Sequence, residues 1–390
     1  MAGSVIVAGA RTPIGKLAGA LAGFGAADLG AIAIRGALQR AGIAPEHVDY
    51  VVMGQVVQAG AGQTTTRKAA TDAGIPLGVP SATINKVCLS GLNAVHLADL
   101  MIRAGEAEVV VAGGMESMTQ APYLLPAARG GYRLGDGALL DALYRDALTS
   151  NLDGAGMGES TDAHAAKAGI PRARQDELAA LSHERAAAAT KDGRLAAEIV
   201  AVEVPQRKGA PIVVDQDEGI RPETTVETLA KLRPAFTAEG TITAGNASQI
   251  SDGAAAVIVT SAARAAALGV RPIGEIVGYG QVAGPDTSLL LQPSNAIRRA
   301  LEQAGRSLGE VDLFEINEAF AAVAAASIDD LGVSPEVVNV NGGAIALGHP
   351  VGMSGARLVV TLLHELARRG GGLGAAALCG GGGQGDAMLL

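Results

Sequence analysis

Tryptophan is absent from the chain, and only four phenylalanines and five tyrosines occur in 390 residues. The aromatic platform on which single-stranded nucleic acids stack is therefore missing. Positive charge is also short, with 30 Lys and Arg against 39 Asp and Glu and a net charge of −9. That balance excludes a phosphate backbone as a general partner, although it leaves room for an anion at a local basic patch. There are only two cysteines, Cys88 and Cys379, so no disulfide framework is expected. No Cys or His cluster has metal-ligand spacing, and no metal is expected. No apolar run approaches the roughly 18 residues of a membrane span. Nothing resembling a signal peptide precedes Val5-Ile6-Val7-Ala8, and the last residues carry no retention or peroxisomal address. These absences predict a reduced, cytoplasmic protein with neither nucleic acid nor membrane as partner.

What the chain does have is small and apolar. Hydrophobic residues make up 48% of it, so with aromatics scarce its cores must be built from Ala, Val, Leu and Ile. Its 54 glycines show no period and fall at the ends of apolar runs, which reads as tight strand-to-helix turns. The length predicts two or three packed units.

The chain also repeats itself. AIRGALQRAGIAPEHVD at 33–49 returns as AIRRALEQAGRSLGEVD at 296–312, with Ala33, Ile34, Arg35, Ala37, Leu38, Ala41, Gly42, Val48 and Asp49 recurring in register. Each copy reads as a helix stopped by glycine and followed by a strand. A second echo joins Cys88-Leu89-Ser90-Gly91 to Gly352-Met353-Ser354-Gly355, each opening a helical stretch that leads to an apolar strand. Two related α/β halves follow, and alternating strands and helices predict mostly parallel sheets covered by helices. Residues 120–247 differ in character and read as an insertion in the first half. Gly253 to Thr260 then reads as a strand returning to the first sheet.

Four residues stand at strand ends or loops where chemistry gathers in α/β proteins. Cys88 begins a helix, whose N-terminal amides and dipole favour thiolate over thiol; the alternative is a buried cysteine acting as a small hydrophobe. Cys379 precedes a run of glycines whose exposed amides admit a ligand, but neither a Walker nor a dinucleotide pattern is completed there. His349 lies between glycine runs, where a merely solvated side chain is the alternative. Asn317 follows a strand, and on its own reads as a helix cap. The other five histidines are given no role.

Taken in order, Asn85-x-x-Cys88-x-Ser90-Gly91, Gly113-Gly114-Met115-Glu116-Ser117-Met118, Gly245-Asn246-Ala247-Ser248, Asn317-Glu318-Ala319-Phe320, Gly348-His349-Pro350 and Cys379-x-Gly381-Gly382-Gly383-x-Gly385 resemble the signature of the thiolases over the whole chain. The resemblance implies an α/β thiolase fold: two similar halves, 1–119 with 248–271 and 272–390, in a five-layered αβαβα core, with 120–247 as a loop domain covering coenzyme A. It implies acyl transfer between coenzyme A thioesters by ping-pong Claisen condensation and thiolysis. Cys88 would be the acylated nucleophile, and His349 would move its proton. Cys379 would exchange the α-proton of the second acyl-CoA, and Asn317 would hold a water at the enolate oxygen. The amides of Cys88 and Gly381 would form the oxyanion site. Arg221 near the adenine, Ser248 on the pantetheine, Met157, Ala319 and Phe320 would bind the substrate. No cofactor would be tightly bound, the thioesters and CoA themselves being the small-molecule partners.

Two features depart from the family pattern. Gly156-Met157-Gly158 stands where biosynthetic members often carry His-Met-Gly, and Leu89 stands where Ala or Gly is common. The segment Gly130 to Asp136 resembles the tetramerisation region of short-chain members. The expectation is therefore the reaction 2 acetyl-CoA = acetoacetyl-CoA + CoA in a homotetramer, a dimer of dimers. The alternatives are a degradative 3-ketoacyl-CoA thiolase of broader chain length, a decarboxylating ketoacyl synthase, and a non-catalytic acyl-CoA or lipid carrier.

Overall fold

The computed structural model of the protein describes residues 3–390. The repeated stretch folds the same way twice. Helix Ala26–Ala41 ends on Gly42 at φ 64 and helix Gln292–Ala304 on Gly305 at φ 62, a left-handed conformation that glycine adopts without Cβ strain. A single 3-10 turn follows each, then strand Tyr50–Gly54 in one copy and Leu313–Ile316 in the other. The repeated aspartates close the unit. Asp49 accepts from the Val109 N–H and Asp312 from the Leu373 N–H, each at 2.9 Å, fixing where the neighbouring parallel strand begins.

Two sheets result. The first runs Gly274–Glu275, Ser4–Arg11, Ser251–Ser261, Val109–Ser117, Tyr50–Gly54, Ser81–Ile84 in spatial order. The second runs Gly278–Ala283, Gln384–Leu389, Gly374–Gly380, Leu313–Ile316. They are mixed rather than mostly parallel. Ser251–Ser261 lies antiparallel to both Ser4–Arg11 and Val109–Ser117, and Gln384–Leu389 is antiparallel to both its neighbours. Connections explain the difference: a tight glycine turn joins Gly374–Gly380 to Gln384–Leu389 as a hairpin, which needs no crossover helix.

Helices complete five αβαβα layers, as the resemblance implies. Helix Ala26–Ala41 covers the outer face of the first sheet, and Gln292–Ala304 with Ala321–Leu331 covers the outer face of the second. Between the sheets, helices Ser90–Ala104 and Ser354–Arg369 pack on each other. Residues Val87–Ala104 are apolar enough in composition to cross a membrane, but here they belong to this central layer, where Leu92, Val95 and Ala98 are fully buried.

The two central helices touch through the repeated glycines. A Cβ on Gly355 would lie 2.3 Å from the Leu92 main-chain nitrogen, and one on Gly91 would lie 2.8 Å from that of Ala356. Gly355→Ala is expected to destabilise the protein by about 3 kcal/mol despite alanine's better helix propensity, because main chain cannot give way as a side chain does. A urea midpoint equal to that of the wild type would show that the helices can part at no cost.

The excursion between Ser117 and Ser251 is tied down by buried charge. Arg11 donates to both Asp217 oxygens at 2.6 and 2.8 Å and to Glu198 at 2.6 Å, all three side chains being sealed from solvent. Removing any one partner would strand a charge in the interior, so this network fixes the excursion over the core. Its helix Arg172–Lys191 rests on Ala321–Leu331 and Ala344–Leu347.

Candidate active site

Strand Ser81–Ile84 runs into a turn that presents Cys88 immediately before helix Ser90–Ala104. Val87 takes φ 52, which costs a β-branched residue on the order of 1–3 kcal/mol. The motif residues hold it there. Asn85 Oδ1 accepts from the Val87 N–H at 2.9 Å, while Ser90 Oγ accepts from Lys86 at 2.8 Å and donates to the Val87 carbonyl at 2.6 Å. The Asn-x-x-Cys-x-Ser spacing is thus the wiring of one strained turn that aims a sulfur.

Cys88, His349, Cys379 and Gly381 share one cavity of about 360 Å³. Met157, Ser248, Ala319 and Phe320 line it as well. Arg221 does not; it lies exposed, its N–H donating to His183 Nδ1 at 3.1 Å. The amides of Cys88 and Gly381 both reach the Cys88 sulfur. Even so, burial outweighs them and pushes the thiol up to about 12, with the nearby Glu116 carboxylate adding to the rise. The resting sulfur is a thiol, contrary to what the helix dipole alone suggests. Desolvation is the stronger effect here.

His349 sits in the chain just after Gly348, which adopts φ 115. Its Nδ1 lies 2.6 Å from Ser354 Oγ, and that hydroxyl donates to the Pro350 carbonyl at 2.9 Å. With the serine proton committed to the carbonyl, Nδ1 carries the imidazole proton and Nε2 keeps a lone pair. Asn317 Nδ2 is 3.4 Å from Nε2. Burial, with a contribution from Arg357, lowers the imidazole to about 3, so it is neutral at rest.

Asn317 caps nothing. The following helix starts at Ala321 with Phe320 as its N-cap, and Asn317 Oδ1 is buried without a partner among the described residues. An amide left unsatisfied in this way calls for a further polar group or water beside it. Cys379, on the strand Gly374–Gly380, is 1% exposed; burial raises its thiol, and charge on Cys88 raises it further.

Two contributors were not singled out from sequence. Ser354 sets the tautomer of His349, and its echo of Ser90 in the repeat was the available signal. Gln249 donates to the Gly219 and Ile345 carbonyls, each at 3.0 Å, joining the excursion to the His349 segment. Nothing in its local sequence marks that bridging role.

A neutral thiol beside a neutral imidazole makes a specific kinetic prediction. Alkylation of Cys88 by iodoacetamide should rise about tenfold per pH unit from 6 to 9 without a plateau, because the thiolate fraction keeps growing until pH reaches the thiol's pKa. A plateau beginning near pH 7 would reveal an ion pair instead.

The geometry agrees with what the chain resembles. Residues 4–263 match the family model of the thiolase N-terminal domain, and residues 270–390 match that of the C-terminal domain. A Mycolicibacterium smegmatis protein named "Probable acetyl-CoA acetyltransferase" is 58% identical over 99% of this chain and all of its own length. The Pseudomonas aeruginosa "Acetyl-CoA acetyltransferase" is 51% identical over 99% of this chain and 98% of its own. Among solved structures, the Bacillus anthracis acetyl-CoA acetyltransferase superposes with a TM-score of 0.97 at 40% identity, covering 100% of this chain and 98% of that one. With two sulfurs and an imidazole meeting in one cavity, and both family models spanning nearly its full length, the chain belongs to the thiolase family.

Proposed function

We propose that the protein is an acetyl-CoA acetyltransferase that condenses two acetyl-CoA molecules to acetoacetyl-CoA and CoA and also runs the reverse thiolysis. The observation that carries this reading is the meeting of Cys88, Cys379 and the lone pair of His349 in one cavity, with two main-chain amides at the Cys88 sulfur. A carrier would need no second thiol and no oriented imidazole.

In the first half-reaction the Cys88 sulfur attacks the thioester carbonyl as its proton moves to His349 Nε2. The amides of Cys88 and Gly381 accommodate the oxyanion, a kind of donor worth roughly 2.7–4 kcal/mol apiece. The carbon–sulfur bond to CoA then breaks, and His349 returns the proton to the departing thiolate. In the second half-reaction Cys379, as a thiolate once its own proton has passed to solvent, takes the α-proton of a second acetyl-CoA, and the Asn317 amide supports the enolate oxygen. The enolate carbon bonds to the acyl carbon, the electron pair falls back on the Cys88 sulfur, and that sulfur recovers the proton held by Cys379. The covalent intermediate divides one difficult condensation into two steps.

Ser248, Met157, Ala319 and Phe320 would line the path of the pantetheine and acyl groups, with Arg221 farther out toward the nucleotide. On this reading no cofactor is tightly bound, and 120–247 acts as a cover over CoA. Homotetramer formation finds support in the apolar side chains standing in water between 123 and 139, among them Tyr123, Leu134 and Leu139. Two free thiols are in keeping with a reducing cytoplasm.

Mass spectrometry tests the reading. Acetyl-CoA should add one acetyl group to the peptide containing Cys88, and thiolysis of acetoacetyl-CoA should outpace that of longer 3-ketoacyl-CoAs. Faster turnover of long chains would favour a degradative thiolase, and no acyl adduct at all would refute acyl transfer.

A further inference from the structure

We propose that Tyr144 is a substrate-binding residue, its hydroxyl holding an amide carbonyl of the thioester's pantetheine arm at the mouth of the cavity. The inference rests on the coenzyme A reading above and adds a contact to it.

Only two hydroxyl side chains line the cavity, those of Tyr144 and Ser248, and neither hydroxyl has a hydrogen-bond partner among the described residues. The other polar groups there are engaged. Gln249 Nε2 already serves the carbonyls of Gly219, Ile345 and Ala346, and Glu159 accepts from the Gly156 N–H at 3.3 Å. The rest of the lining is largely apolar. The arm of coenzyme A carries two amides, and an amide drawn into an apolar cleft loses affinity unless its carbonyl meets a donor. Tyr144 and Ser248 are the uncommitted donors.

Depth tells which part of the substrate Tyr144 meets. It is 53% exposed, whereas Cys379 is 1% and His349 6% exposed. The phenol therefore stands at the rim, where the arm passes, while the acyl group reacts below.

Gly156 makes this position available. A Cβ there would come within 3.0 Å of Tyr144 Oη, closer than ordinary contacts allow. Gly156 has little freedom to retreat, because the adjoining Met157 N–H is bonded to the Leu148 carbonyl at 2.8 Å. Glycine at 156 is thus the complement of a tyrosine at 144, and the two together form one wall of the entrance.

The test compares Tyr144→Phe with the wild type on acetyl-CoA and on S-ethyl thioacetate, a thioester without amides. With acetyl-CoA, KM should rise about tenfold while kcat changes less than about twofold, the loss of one uncharged hydrogen bond. With S-ethyl thioacetate, kcat/KM for acylation of Cys88 should be alike in the two proteins. Gly156→Ala, which crowds the phenol, should raise KM for acetyl-CoA in the same way. An unchanged KM in Tyr144→Phe overturns the inference, and so does an equal loss on both thioesters, which would mean structural damage. A wild type that is acylated by neither thioester sinks the acyl-transfer reading and this contact with it.

Discussion

Cys88→Ala should lower both acetoacetyl-CoA synthesis and its thiolysis by at least about 10⁴-fold, the scale seen when a nucleophile acting in concert with its base is removed. The alanine variant should also give no acetyl adduct by mass spectrometry. Both directions must fail together, because each passes through the same acyl-sulfur bond. Folding should survive. Cys88 lies at the edge of the cavity rather than inside the core, and the turn that aims it is held by Asn85 and Ser90, which remain. An alanine variant with near-normal turnover in either direction would remove the basis for the whole catalytic assignment.

Why one cavity carries this chemistry, and not two, follows from comparing the halves in the register of the repeat. Cys88 corresponds to Gly352, and Asn317 to Gly54. Neither glycine has room for a side chain. A Cβ on Gly54 would lie 2.6 Å from the Ser90 carbonyl carbon, and one on Gly352 would lie 2.7 Å from Glu116 Oε2 and 2.9 Å from the Gln55 Cα. The space that is a cavity on one side of the molecular pseudo-dyad is filled with main chain on the other. Glu116 sits in that filling. Its carboxylate accepts from Val56 at 2.9 Å, Val57 at 3.2 Å and Gly352 at 3.0 Å, bonding a loop of the first half to the segment that carries His349. Burial holds its carboxyl up near 8.

This asymmetry also marks how far the sequence could be followed. The helix, glycine cap and strand of each copy were legible because they depend on local signals that recur: apolar spacing, a glycine stop, and the short apolar run that follows it. Strand direction was not, since it depends on where the long excursion re-enters and on a glycine turn that closes a hairpin. The four residues Cys88, Asn317, His349 and Cys379 were legible as a set through ordered motifs, and they do converge. Their protonation was misjudged at Cys88 because a helix dipole can be inferred from a sequence and desolvation cannot. Tyr144 and Ser354 escaped notice for a related reason. A tyrosine on a six-residue helix and a serine at a helix start are common, and only contacts distant in the chain or across a turn give them work.

Cys379→Ser should separate the two half-reactions. Serine keeps the shape of the side chain, and acylation of Cys88 uses His349 as its base, so the acetyl-enzyme should still form at a rate within about tenfold of the wild type. Condensation should fall by about 10³-fold, within the range for loss of a general base, because a buried hydroxyl is a far weaker acid than a thiol and almost never supplies an anion. The order of events supports the split. Negative charge on Cys88 makes ionisation of Cys379 harder, since the two sulfurs feel each other across the cavity. Once Cys88 carries an acyl group it cannot take on that charge, so ionisation of Cys379 meets no competing sulfur anion while there is an acyl group to condense with. Rapid-quench measurement of acetyl-enzyme beside steady-state condensation checks both halves in one protein. If the serine variant lost acylation and condensation to the same extent, Cys379 would be supporting the nucleophile and not removing the α-proton.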